Sequence, residues 1–458
     1  MLPSMSLKVK PTGEVAQTGS RSRAVVLVSL GTALVLVTYV TPMASIPQTA
    51  TDLGSGSAAR AWILSSMSVG LAAALLASGA VGDALGRRRT YVVGLVATGV
   101  GSLLCAVATG SALFVGARVL EGVGGAAILA CGLAILAHGA RTPEERGHGS
   151  AIWGASVGLG ITAGVVLAAS LDIGTGWRET YVVVGALALA LVVPSLRLPE
   201  SAAEHPRRLD LPGVVTLGAA MTLLVSGLTQ ARSGLTAGVA GVFVAALVLL
   251  VLFAVVESRS AEPMLEPALL RNRGFLAATI GTLVLGGGII SMSSNVPTLV
   301  QVDLGDSLWV ASWLLLTWSV TSVVTSLVVR NLRIPLSGPR LIALALGVVA
   351  LGELLGLGMT ADSSPWRLAP SMFVAGLATG VLNAVLARES VANVPADRAA
   401  MGSGSNNTAR YLGAACGITV FSVLLTHAGW DAAVLVAAGV TAVGAVAAAL
   451  LGPTKSQA

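Results

Sequence analysis

Residues 61–110 read AWILSSMSVGLAAALLASGAVGDALGRRRTYVVGLVATGVGSLLCAVATG. Two apolar runs, near 61–82 and 91–110, flank a short loop that ends on three arginines. Each run is about the ~20 residues that a helix needs to cross ~30 Å of hydrocarbon. Inside lipid the backbone must satisfy its own hydrogen bonds, so a lone run of this length is a helix. The pattern repeats along the whole chain. Similar runs lie near 24–47, 112–138, 150–172, 179–198, 211–230 and 235–256, and then near 275–300, 308–329, 341–360, 367–388, 405–427 and 431–452. The expectation is an all-α integral membrane protein with about fourteen transmembrane helices.

Composition points the same way. Of 458 residues, 55% are hydrophobic and 10% charged, and the mean hydropathy is +0.86. That is too little polar surface to clothe a soluble protein of this size. Glycine is abundant at 55 residues and aromatics are scarce at 4%, which suits helices packed backbone to backbone in lipid. The net charge of +6 is scattered in short clusters between apolar runs, so no basic face exists for nucleic acid. Cys105, Cys131 and Cys416 sit inside apolar runs without metal-ligand spacing. His138, His148, His205 and His427 lie at run ends or in loops. Neither a metal nor a cofactor is indicated. The first run follows Arg21 and Arg23 but is too long for a signal peptide, and thirteen similar runs come after it.

The basic residues set the orientation. Lys8, Lys10, Arg87 to Arg89, Arg141, Arg146, Arg207, Arg208, Arg271, Arg273, Arg330 and Arg333 fall on one side of the alternating spans. Arg60, Arg178, Arg232 and Arg367 fall opposite, and Arg118 lies within a run, leaving most of the 27 Lys and Arg on the first side. Both termini are therefore expected in the cytoplasm of a multi-pass protein of the cell membrane. Two polar linkers, Pro199 to Pro212 and Glu257 to Gly274, bracket the middle pair of runs. The predicted layout is a tail (1–23), a six-helix bundle (24–198), a linker carrying two extra helices (199–274), a second six-helix bundle (275–452) and a tail (453–458). Paired bundles with a midplane site between them are a common plan of secondary transporters.

The loop Gly79-Ala-Val-Gly-Asp83-Ala-Leu-Gly86-Arg87-Arg88-Arg89 resembles the G-x-x-x-D-x-x-G-R-R/K-R/K loop of the major facilitator superfamily. In that family it latches the cytoplasmic ends of the two halves. Arg118-Val-Leu-Glu121-Gly122-Val-Gly124 is similar to the family's R-x-x-Q-G-x-G motif, with Glu121 replacing Gln. A buried Arg costs at least ~2.5–3.5 kcal/mol at a span centre, which marks it as functional by default. Arg118 and Glu121, three apart on a helix, are within reach of each other. A self-neutralising pair and a protonation couple are both open. Gly154, Gly158, Gly160 and Gly164 form two small-residue repeats on different helix faces. They resemble the superfamily's antiporter motif, although Val165 stands where a Pro is usual. Close packing alone would also explain them.

The fuller resemblance is to the fourteen-helix drug:proton antiporter family. It rests on Arg208-Leu-Asp210-Leu-Pro-Gly213, on Glu257 to Pro263, and on Leu270-Arg271-Asn272-Arg273-Gly-Phe275. It continues in Gly402-Ser-Gly404-Ser-Asn406-Asn407-Thr-Ala-Arg410-Tyr-Leu-Gly413 through Gly417. The resemblance implies multidrug efflux, with small molecules, protons and membrane lipid as partners, and antibiotic resistance as a consequence. One departure matters. Members commonly carry an acid about nine positions before the Pro that is Pro47 here, and this chain has Thr38, followed by Tyr39. Coupling would then fall to Glu121, with Glu353 second.

Other polar residues inside runs are candidates for lining a substrate path: Trp153, Asn295 beside Pro297, Trp313, Trp318 and Asn383, with Thr38 and Tyr39. The expected function is export of small amphipathic organic compounds by proton antiport. A facilitator or metabolite carrier without proton coupling is the alternative. No Walker-type loop is present to draw on ATP, no catalytic cluster suggests an enzyme, a membrane sensor is disfavoured, and a monomer is expected.

Overall fold

The computed structural model describes residues 12–452 apart from 172–175, 203–209, 233, 261–262, 264–268, 270, 330 and 333–335. Lys8, Lys10, Arg207, Arg208, Arg330, Arg333 and the 453–458 tail therefore lie outside the described residues. Among the described residues the chain is helical, without strands. The first eight helices are α1 (Thr12–Asp52), α2 (Ser57–Leu85), α3 (Arg87–Ala106), α4 (Ser111–His138), α5 (Pro143–Ser170), α6 (Arg178–Ser195), α7 (Leu211–Ala231) and α8 (Ala237–Arg259). Then come α9 (Arg273–Leu285), α10 (Ser291–Thr298), α11 (Leu308–Val329), α12 (Gly338–Leu354), α13 (Ala369–Ala392) and α14 (Ala399–Leu450). Eleven described segments are long and apolar enough to cross a membrane. The chain is a multi-pass membrane protein.

Helix ends follow local chemistry. Asp210 Oδ1 accepts from the Gly213 backbone N–H at 2.9 Å and caps α7, while Asn272 Oδ1 accepts from Gly274 and Phe275 and caps α9. Each satisfies donors that a first helical turn leaves without acceptors. Two stretches that resembled family motifs are thus helix starts in physical terms. α9 and α10 form one rod joined by a π-helical turn at Gly286–Ile290, and a second such turn follows at Leu299–Asp303. Pro297 lies between them; lacking an N–H, it cannot bond the carbonyl four residues back, and the ladder widens. α14 runs for 52 residues but breaks at Gly429, whose φ of 84° a side chain would oppose. Gly429 falls in the gap expected between the last two runs. At the other end, α1 reaches back to Thr12, ahead of the run expected at 24–47.

Burial reflects the lipid solvent. α8 buries little beyond Val239, Ala246 and Glu257 and exposes Val244, Leu247, Val248 and Val251. In water that face would be a docking or aggregation surface; in a bilayer it is lipid contact. α7 packs on α8 and on α2. One apolar core joins α9 to α14, and another joins α1 to α5 and takes in Ala387, Ala399 and Tyr411. Phe114, Trp177 and Tyr181 cluster edge-to-face near the ends of α4 and α6. Beside them Arg178 donates to Asp52 at 2.8 Å and the Trp177 indole donates at 3.1 Å, tying α6 to α1. The Arg178 hydrogen bond, with help from Trp177, holds the Asp52 carboxyl below the usual carboxylate range.

Candidate functional site

Helices α1, α4, α5, α9 to α11, α13 and α14 enclose a central cleft with about 1230 Å³ of empty space, open solvent at its mouth included. Its wall is mostly apolar, set by Leu36, Val40, Ile161 and Leu315, with Tyr39, Trp318, Asn383, Arg410 and Tyr411 among them. Tyr39 and Tyr411 meet edge to face with centroids 5.5 Å apart. Trp318 donates its indole N–H to Thr379 at 3.2 Å, and Arg410 Nη1 donates to Asn383 Oδ1 at 3.0 Å. A second cleft shares Tyr39, Ser294 and Pro297 with the first and adds Arg232, Gln48 and Asn295.

The sequence-derived wall candidates separate. Tyr39 and Asn383 line the central cleft, and Asn295 lines the second. Thr38 does not: its hydroxyl donates to the Leu34 carbonyl at 2.8 Å, within its own helix. Trp153 is buried in the core of the first helices. Trp313 lines neither cleft and is 56% exposed on α11. Trp318, five residues on and so on another face of the helix, is the tryptophan that reaches the cleft. Arg410 and Tyr411, quoted only as parts of a motif, are wall residues. An arginine inside an apolar run was the available signal for Arg410, as it was for Arg118.

The carboxyls within the spans are in unlike surroundings. Arg118 Nη1 donates to Glu121 Oε2 at 2.7 Å and to the Thr38 carbonyl at 2.8 Å, and Ser102 donates to Glu121 Oε1 at 2.5 Å. Both side chains of the pair are wholly buried and outside the cleft wall. Glu353 on α12 is equally buried, but neither of its oxygens has a hydrogen-bond partner among the described residues. Its Oε1 faces the π-helical turn, where a Cβ on Gly288 would come within 2.7 Å of it. Thr441 close by donates instead to Ala437. A charge on Glu353 here would be uncompensated. No cluster of three or more metal-binding side chains occurs among the described residues.

At the end of α2 the six residues of the arginine-rich loop have different tasks. Asp83 Oδ1 accepts from the Ala400 N–H at 3.1 Å and from Arg87 Nε at 2.8 Å, while Oδ2 accepts from the Met401 N–H at 2.8 Å. A carboxylate on α2 thus caps the positive start of α14. Arg87, 1% exposed, also donates to the Ala396 carbonyl at 2.8 Å. Gly79 lets α2 approach, since a Cβ there would meet the Ala400 carbonyl at 2.5 Å. Gly86 turns the chain with φ 116°. Arg88 and Arg89 face Glu200 beyond α6 instead.

The helix-five glycines face two ways. Cβ atoms on Gly154 and Gly158 would press on Asn383 and Val323, in α13 and α11, each at 2.9 Å. On Gly160 and Gly164 they would strike Ala33, Val37 and Val40 of α1. The two repeats seat α5 against helices on either side of the central cleft.

The family profile described as Major Facilitator Superfamily matches residues 28–418 and 278–458. The chain is 30% identical over 392 residues to the probable actinorhodin transporter of Streptomyces coelicolor, covering 82% of this chain and 68% of that protein. It is 29% identical over 425 residues to the multidrug efflux pump LfrA of Mycolicibacterium smegmatis, covering 92% and 84%. Its fold superposes on the human organic anion transporter MFSD10 with a TM-score of 0.68 at 19% identity, covering 93% of this chain and 99% of that one.

Proposed function

The chain belongs to the major facilitator superfamily, and from that premise we propose that it exports small amphipathic organic compounds by proton antiport and alternating access. The observation that carries the proposal is the central cleft, walled by helices from both ends of the chain and flanked by the Asp83–Arg87 contact with α14. Relatives named as an efflux pump and an antibiotic transporter favour outward transport. In this reading fourteen spans divide six, two and six. Support comes from α5, from the 17-residue α12, and from the division of α14 at Gly429. The pair α7 and α8, with α8 largely exposed, would be the additional helices. With both termini in the cytoplasm of a cell-membrane protein, the Asp83 contact is the closed inner gate.

We place the exchanged proton on Glu353. Protonating Glu121 would leave Arg118 buried without its counter-charge, whereas protonation of Glu353 strands nothing. The carboxyl also abuts the π-helical turn of a rod whose Ile290, Ser293 and Ser294 line the cleft, and such turns recur at functional sites. One proton moving down ~100 mV supplies about 2.3 kcal/mol, enough to bias a transport cycle. The uncoupled reading is favoured by Thr38 in place of an acid, and by a cleft with no carboxyl in its wall among the described residues.

Proteoliposomes with and without a pH gradient separate the two readings. The gradient is expected to drive substrate uphill in the wild type. Glu353→Gln should abolish that drive and leave substrate exchange at equal pH intact. Gradient-driven transport unchanged in Glu353→Gln would move the proton elsewhere, and no gradient dependence in the wild type would establish a facilitator.

A further inference from the structure

Among the described residues that wall the central cleft, Arg410 is the one carrying a formal charge. Its side chain is almost completely buried, at 6% exposure. Nη1 is held by Asn383, but Nε and Nη2 have no hydrogen-bond partner among the described residues. Those two nitrogens form the edge of the guanidinium that grips a carboxylate with two parallel hydrogen bonds. Buried arginines need a counter-charge, as Arg118 has in Glu121. Arg410 has none.

The adjoining cleft repeats the imbalance. Among the described residues Arg232 is its sole charged wall residue, touching Thr419 at 3.4 Å, and neither lining includes Asp or Glu. A cation entering through Arg232 toward Arg410 would meet like charge at each station with nothing to offset its desolvation. An anion would meet attraction at both. Tyr39, Tyr411 and Trp318, with the aliphatic wall, provide a bed for a flat apolar body.

We propose that the substrates are amphipathic organic anions, in which an aromatic body fills the apolar cleft and a carboxylate, sulfonate or phenolate binds the Nε–Nη2 edge of Arg410. This rests on the central cleft being the transport site. Arg232 is then a second attractive point along the same route.

The test uses the purified full chain and two dyes of opposite charge, carboxyfluorescein and ethidium, titrated by fluorescence anisotropy. Carboxyfluorescein is expected to bind at least about tenfold more tightly than ethidium, as charge-assisted hydrogen bonds predict. Arg410→Gln should weaken carboxyfluorescein about tenfold or more and narrow the preference, while Arg410→Lys should retain part of it. Ethidium bound as well as carboxyfluorescein by the wild type overturns the proposal without any variant having to fold. So does carboxyfluorescein affinity that stays the same in both variants, or failure of the wild type to bind it. The export reading is judged separately on flux. Ethidium pumped from cells would keep export and discard the anion, whereas dye binding with no flux of either dye would do the reverse.

Discussion

Arg118→Met is expected to cost the protein a large part of its stability, seen as a collapse in folded yield and a lower melting transition in detergent. One nitrogen, Nη1, holds both the Glu121 carboxylate at 2.7 Å and the Thr38 carbonyl at 2.8 Å. Removing it breaks the tie from α4 to α1 and leaves Glu121 wholly buried with Ser102 as its remaining partner. Breaking a buried pair from one side costs about 3–5 kcal/mol, because the surviving charge stays desolvated and unpaired. Total stabilities of about 5–15 kcal/mol leave little margin against that. Replacing both residues, in Arg118→Met with Glu121→Met, removes both charges and should recover much of the loss, since apolar residues of similar volume often replace a buried pair at little net cost. A single variant as stable as the wild type would show that the pair bears no weight. A double variant worse than the single would place the effect in packing.

This pair was legible in the sequence because i, i+3 spacing on one helix fixes proximity regardless of the rest of the fold. Membrane-length runs and the break at Gly429 were legible for a related reason: length, hydropathy and glycine are local properties. Ser102 was not, since nothing local pairs residues 19 apart in different helices.

Trp313 and Trp318, both candidates for the substrate path, part only once the helix is packed. A helix in water shows its buried side by an apolar stripe, but lipid is as apolar as a protein core, so both sides of α11 carry large apolar residues and its inward side shows instead in the small polar Ser312, Ser319, Ser322 and Ser326, all buried. Trp309, Trp313, Val320, Val324 and Val328 form its exposed stripe, and a tryptophan taken by itself fits either side. Arg410 shows the converse. Its residue type was informative, but that no carboxylate among the described residues shares its cleft emerges only when helices distant in sequence are assembled.

Asp83→Asn is expected to slow turnover at every substrate concentration while leaving apparent affinity in place. The Ala400 and Met401 N–H groups open the first turn of α14, where no helical carbonyl is available to them, and Asp83 answers both with a full charge at the positive end of the helix. Asparagine keeps one acceptor and turns an NH2 toward the other N–H, so one bond is lost and donor faces donor. Hydrogen bonds to charged groups are worth about 1.5–3 kcal/mol, which corresponds to about a 10- to 150-fold fall in the population of the closed inner gate. Arg87 would lose its carboxylate at the same time, leaving the Ala396 carbonyl to hold it. Because these groups lie apart from the cleft wall, the loss should reach the maximal rate and not the substrate contacts. Spin labels on Leu85→Cys and Ala392→Cys, both at exposed positions near the contact, should report a longer and broader distance distribution in Asp83→Asn. Weakened affinity at an unchanged maximal rate, with the label distances unmoved, would mean that Asp83 acts on the substrate route and that the gate is held by other groups.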